Sequence, residues 1–331
     1  MHTTRSSVAA AVAAAAIAIA SLPASAQQPE AGYPNRNILM VVPYPPGGAP
    51  DVIMRIMAKR IGEILGSAIV IENRPGASTT IGATSVARAE PNGYTLLATD
   101  IAQTVVPSTM ANLKFDPVKD LKPVSTTARS EFTVAINPDL PAKSLLDLAA
   151  YSKQNPDALK FGHPGVGTPP HLYALALIQA TGMKALLVPY RGVALAASDV
   201  VAGHIHGLAA VAGVTGALAK EGKLRLVAVD GKARMATYPD VPTLDELKIK
   251  LPGFVAGNWF GITAPAGTPD AIIDKLNAAV RLATEDKASI EALAKVDAQM
   301  VASSPQEFGR LIADQVAAWR ELLAGAGIKA E

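Results

Sequence analysis

One stretch near the start of the chain, Val41 to Arg55 (VVPYPPGGAPDVIMR), admits few folds. Asn37–Pro43 (NILMVVP) is a short apolar, β-branched run, which reads as a buried strand. Gly47-Gly48 frees the backbone for a tight turn. Pro50 stands where a first helical residue needs no N–H. From there Ile53, Ile56, Met57, Ile61 and Ile64 recur on one helical face, with Arg55, Lys59 and Glu63 opposite. The stretch is therefore a strand, a glycine turn and a helix start, the opening of an α/β unit. Open N–H groups and the positive end of the helix dipole favour an anion at such a turn. Gly47 and Gly48, with Tyr44 beside them, are candidates to hold a carboxylate. Asp51, in the first turn, is expected to brace the loop.

The alternation continues. Ala68–Glu72 (AIVIE) reads as a second strand, Asn73–Gly82 as a loop rich in Gly, Ser and Thr, and Ile81–Ala89 as a helix stopped by Pro91. Gly93–Thr99 is a third strand, ending at Asp100. Strands alternating with helices predict a mainly parallel sheet, whose ligands sit beyond the carboxyl ends of the strands. The loops Pro45–Asp51, Gly76–Thr80 and Thr99–Gln103 share that edge. Ser78, Thr79 and Thr80 have two readings of equal weight: turn chemistry, or hydrogen bonds to a polar ligand.

A second unit repeats the device. Thr133–Asn137 is a strand, Ser144 caps a helix, and GHPGVGTPPHLYALALIQATG (Gly162–Gly182) is a glycine-rich turn with prolines opening an apolar helix. Ala185–Tyr190, His204–Ala210 and Leu224–Val229 are further strands, and Gly257–Thr263 is a strand that returns the chain to the first unit. Thr268-Pro269 and Ser304-Pro305-Gln306-Glu307 start two C-terminal helices, the latter with a full capping box. The expected fold is α/β, with two domains: residues 37–129 with 257–331, and residues 130–256.

Residues 1–26 read as an export signal. Arg5 precedes the apolar run VAAAVAAAAIAIASL, and Ala24-Ser25-Ala26 offers a cleavage site after Ala26. Its removal takes the net charge from +2 to +1, which supplies no field for nucleic acid. The chain has no Cys, so disulfides, thiolate metal sites and cysteine nucleophiles are excluded.

Catalytic motifs are missing: there is no G-x-S-x-G elbow, no phosphate loop and no dinucleotide fingerprint. No metal and no cofactor is expected, since neither pair of neighbouring histidines has a carboxylate at ligand spacing. His163 and His206 are candidates for ligand contact, against the alternative of polar residues satisfied locally. Arg191 follows a strand directly, and its fork could clamp a carboxylate or form a surface ion pair.

VPYPPGGAPDVIMRIMAKRI, VIENRPGASTTIGATSVARAEPNGYTLL, FDPVKDLKPVS, GHPGVGT, LLVPYRGVALAASDVVAG and FGITAPAGTP resemble, in this order, the Bug-type, TctC-like extracytoplasmic binding proteins of tripartite tricarboxylate transporters. The resemblance implies a two-lobed periplasmic binding protein without catalysis, a small carboxylate ligand, and delivery to a membrane permease pair. A monomer is expected. Carried over by position, Gly47, Gly48, Ser78–Thr80, Asp100 and Gln103 line one wall. Gly165, Thr168, Tyr190, Arg191 and Gly192 line the other. The family often has an acidic residue where this chain has Gly203-His204-Ile205-His206, which disfavours an amino-acid ligand. An uncharged tail with one or two carboxylates fits better, with an aromatic or aliphatic dicarboxylate as the leading expectation and His206 as a candidate donor to its distal end. Two other readings are a secreted hydrolase of a small carboxylate derivative and a sensing module for a membrane sensor.

Overall fold

A computed structural model describes residues 32–156, 158–251, 254 and 257–325. The expected signal peptide and its cleavage site lie outside these residues. The first apolar run forms β1 (Ile38–Val42), which pairs in parallel with β2 (Ile69–Asn73) and β3 (Thr95–Asp100). The helix after the glycine turn, α1 (Ala49–Leu65), buries Ile53, Met57 and Ile61 against this sheet, as its periodicity requires. α2 (Thr80–Ala87) follows β2. α3 (Ala102–Thr109) follows β3, where the sequence suggested only a loop.

The chain then crosses through β4 (Leu121–Ser130) and the single residue Glu131 into β5 (Phe132–Ile136). A second sheet is completed by β6 (Lys160–His163), β7 (Leu186–Pro189), β8 (Gly207–Val211) and β9 (Arg225–Val229), in the order β7-β6-β8-β5-β9. Its helices are α4 (Leu145–Gln154), α5 (Pro169–Thr181), α6 (Val193–Val201) and α7 (Ala212–Lys220). β10 (Asn258–Pro265) brings the chain back, and the first sheet runs β11-β4-β10-β3-β1-β2, with β11 at Ala298–Met300.

The two-lobed α/β fold of a periplasmic binding protein is present, but its sheets are mixed rather than mainly parallel. β10 runs antiparallel to both β3 and β4, and β5 runs antiparallel to both β8 and β9. The cause is the double crossing. β4 leaves the first sheet and β10 re-enters it in the opposite sense, so the two strands can only pair antiparallel.

Three helices, not two, end the described chain: α8 (Asp270–Ala283), α9 (Lys287–Ala294) and α10 (Pro305–Gly325). The capping box at α10 forms as expected, with Ser304 N–H donating to Glu307 Oε2 at 2.9 Å and Glu307 N–H to Ser304 Oγ at 3.2 Å. No described helix is long and apolar enough to cross a membrane.

The crossing region is packed with aromatic rings. Phe132 stacks on Tyr173 at 4.9 Å, and Phe254 sets its edge against Phe132 at 5.6 Å and against Trp319 at 4.7 Å. Their core is continuous with Ile101 and Val105 of the first lobe. Buried beside it is a carboxyl pair. Arg129 meets Glu131 at 3.1 Å, while Asp230 Oδ1 accepts Phe132 N–H at 2.7 Å and its Oδ2 lacks a donor. Burial, then the Glu131 charge, pushes the Asp230 carboxyl well above the usual range.

Candidate functional site

The carboxyl ends of β1, β2 and β3 deliver three loops to one edge. Asp51 ties the first of them together. Its carboxylate accepts Gly47 N–H at 2.9 Å, Asn73 Nδ2 at 2.8 Å and Arg55 Nε at 2.9 Å. The Arg55 guanidinium, above all, holds the carboxyl down at about 2, with the Gly47 and Asn73 hydrogen bonds adding to it against the cost of burial. Asn73 also donates to Tyr44 O at 2.9 Å, joining the first loop to the second. One donor of the glycine turn is thus taken by the chain's own carboxylate. Gly47 adopts φ 84°, a left-handed conformation that favours glycine. Gly48 remains exposed at the start of α1.

The second loop is unusual. Ala77, Ser78 and Thr79 all have positive φ, at 43°, 51° and 78°. Left-handed backbone costs a non-glycine residue about 1–2 kcal/mol, and strain of this kind concentrates where a loop must present its backbone. Here the N–H groups of Ala77, Ser78 and Thr79 meet no acceptor among the described residues. The loop is fixed from behind. Gln103 Nε2 donates to Thr79 Oγ1 at 2.7 Å, and Thr80 N–H and Oγ1 both donate to Ala77 O, at 3.1 and 2.7 Å.

The third loop orients Tyr44. Its hydroxyl donates to Asp100 Oδ2 at 2.6 Å, and Asp100 Oδ1 accepts Ala102 N–H at 3.0 Å to cap α3. Burial pushes the Asp100 carboxyl up to about 6, against the pull of these two donors. Desolvation, then the Asp100 charge, raises the Tyr44 phenol well above its ordinary value.

A cavity of about 410 Å³ opens between the lobes. Tyr44, Ser78 and Thr79 line it on one side, with Ala102, Val105, Val106, Thr109 and Met110 of α3 and its end as the floor. Val166, Gly167, Thr168 and Pro169 of the second glycine turn close it. Gly167 is tight against the floor: at φ 75°, a Cβ there would stand 3.2 Å from Thr109 Cγ2.

Of the expected site residues, the cavity brings together Tyr44, Ser78, Thr79 and Thr168. Asp100, Gln103 and Thr80 are buried behind the wall as supports. Gly47 and Gly48 are exposed and are not among the residues that line the cavity. His163 and His171 lie buried under the second turn with ring centroids 4.3 Å apart. Their Nδ1 atoms accept Gly165 N–H at 3.3 Å and Gly167 N–H at 3.1 Å. His163 is therefore a support of the turn rather than a wall residue, and the Gly165 donor is spent. Burial lowers both imidazoles, His171 to about 4, so both are neutral at pH 7.

Four more positions need correction. His206 lies at the amino end of β8, where its Nδ1 accepts Lys160 N–H at 3.1 Å. That is the start of β6, the edge of the sheet opposite His163. His204 and His206 do not share a strand face, because β8 begins only at Gly207. Tyr190 N–H donates to His163 O at 2.8 Å, which places its loop at the correct edge. Its hydroxyl, however, turns to Asp199 at 2.7 Å. Arg191 is exposed and Gly192 half-buried, and neither lines the cavity.

Sequence reasoning missed α3, which forms the cavity floor. Pro107 inside it made the segment look like a loop, although Met110 N–H still reaches Val106 O at 3.0 Å. The C-terminal helix holds α3 in place. Trp319 Nε1 donates to Thr104 Oγ1 at 2.7 Å, and Trp259 Nε1 to Gln315 Oε1 at 2.7 Å. Among the described residues no three His, Asp or Glu side chains converge as metal ligands.

Residues 53–328 match the family model described as the tripartite tricarboxylate transporter family receptor. Protein BugT of Bordetella pertussis is 34% identical over 303 residues, covering 90% of this chain and 91% of that protein. Among solved structures, the periplasmic binding protein BugD is 32% identical with a TM-score of 0.74, over 90% of this chain and 100% of BugD. Rpa4515 from R. palustris, solved with adipate, is 30% identical with a TM-score of 0.76, over 90% of this chain and 100% of that one. The chain belongs to the tripartite tricarboxylate transporter receptor family, whose two-lobed fold it shares.

Proposed function

We propose that this protein is an exported receptor that captures a small organic acid and presents it to a tripartite tricarboxylate-type permease, without catalysis. The observation that carries this reading is the Ala77–Thr79 loop on the cavity between the lobes, with three consecutive N–H groups unengaged beside the Ser78 hydroxyl. Such an array accepts a carboxylate as a helix N-terminus does. In this reading the signal peptide is removed after Ala26, and the lobes (37–129 with 257–331, and 130–256) close on the acid as a monomer. The adipate in Rpa4515 supports an acid as cargo. A thermal-shift screen against mono- and dicarboxylates tests it. A receptor saturated at 100 times its Kd gains about 2.7 kcal/mol, a clear rise in Tm with the acid recovered intact. No shift with any acid at millimolar concentration would refute the proposal.

A further inference from the structure

Resting on the receptor reading, we infer that the cavity takes an acid with one carboxylate and an unsubstituted hydrocarbon body. The carboxylate lies on the Ala77–Thr79 loop, and the body lies along α3 and the second glycine turn. The two walls differ in the donors they have left. On the first, the N–H groups of Ala77, Ser78 and Thr79 and the Ser78 hydroxyl are unengaged among the described residues. On the second, the Val166 N–H is unengaged among the described residues, and the other lining residues have their donors committed or missing. Gly165 and Gly167 N–H go to imidazole nitrogens, and Thr168 Oγ1 donates to Gly165 O at 2.7 Å. Pro169 and Pro170 have no N–H to offer at the start of α5.

The floor repeats the pattern. Thr109 Oγ1 turns to Val105 O at 3.5 Å, leaving Val105, Val106 and Met110 as an apolar surface, and no Lys or Arg lines the cavity. A second carboxylate there would lose its hydration and meet one open N–H, that of Val166, among acceptors and hydrocarbon, which is costly. His206 and Arg191, the residues expected to hold a distal carboxylate, are not on the cavity wall.

Calorimetric titration of hexanoate against adipate tests the inference, because the two share a six-carbon chain and differ in one carboxylate. Hexanoate should bind at least about tenfold more tightly, a difference of about 1.4 kcal/mol. Val166→Lys adds an ammonium at a position already 67% exposed, so the fold should tolerate it. It should reverse the order, strengthening adipate about tenfold relative to hexanoate. Adipate binding as well as or better than hexanoate to the unaltered protein would overturn the inference and leave the receptor reading intact. A Val166→Lys protein with the original order would also overturn it. Silence from both acids and from benzoate would overturn the receptor reading together with this inference.

Discussion

Replacing Asp51 with Asn should separate the support of the glycine turn from the rest of the fold. The carboxylate holds Gly47 N–H, Asn73 and Arg55 together, and it is 2% exposed. Its pKa falls from an ordinary 3.8 to about 2. At ~1.36 kcal/mol per pKa unit, that difference stabilises the ionised fold by about 2.4 kcal/mol. Solvent screening at Arg55, whose side chain is 49% exposed, brings the figure down to about 2 kcal/mol. The folded pKa lies below the unfolded one, so the contribution is complete above about pH 4 and is lost as pH falls through 2. At pH 3 about half remains, since the unfolded chain is by then largely protonated and the folded one is not.

Urea denaturation of the two proteins at pH 7 and pH 3 measures this directly. The unaltered protein should exceed Asp51→Asn by about 2 kcal/mol at pH 7 and by about 1 kcal/mol at pH 3. The m-value should be unchanged, because the surface exposed on unfolding is the same. A gap that is equal at the two pH values, or below about 0.5 kcal/mol at pH 7, would refute the assignment of Asp51 as the ionised hub of the turn.

Asp230→Asn should raise the Tm at pH 8, by about 2–4 °C per kcal/mol gained, because it replaces a carboxyl whose charged form is disfavoured by burial and by the neighbouring Glu131. The folded pKa is raised, so native stability falls as pH rises from the unfolded value, and the advantage of Asn should shrink at pH 4. A variant equally stabilised at both pH values would contradict the raised Asp230 pKa. Gln315→Leu strands Trp259 Nε1–H in the core and should cost about 1–3 kcal/mol in denaturation; a neutral result would show that the indole finds another acceptor. Arg191→Ala should leave acid affinity within about twofold, measured by titration, because Arg191 is exposed away from the cavity. A tenfold loss would return it to the site.

What could be read from the sequence was local. The strand–turn–helix of Val41–Leu65, the cap of Ser144 on Asp147 N–H and the box of Ser304 with Glu307 are set within a few residues, and all three form. β4 escaped notice because Ser125, Thr126 and Thr127 look like a loop. They are buried in a strand paired on both sides, where Ser125 and Thr126 find their partner far along the chain in Ser303. His206 was misplaced because two histidines in alternation do not reveal where a strand begins, and one sheet edge separates a ligand contact from a structural acceptor.

The deepest limit concerns donors. Each lobe carries the same device, glycines and then proline at a helix start, and composition makes the two turns equivalent anion sites. The fold makes them unlike. Asp51 takes one donor of the first turn, while the neighbouring Ala77–Thr79 loop keeps three open. His163 and His171 absorb two donors of the second turn, its prolines remove two more, and the Val166 N–H stays open. Residue type states how many hydrogen bonds a group can make, but only the packed structure states which are already made. Most of the open donors that remain lie on one wall, three N–H groups and the Ser78 hydroxyl against the single Val166 N–H, and the acid's single charge should follow them.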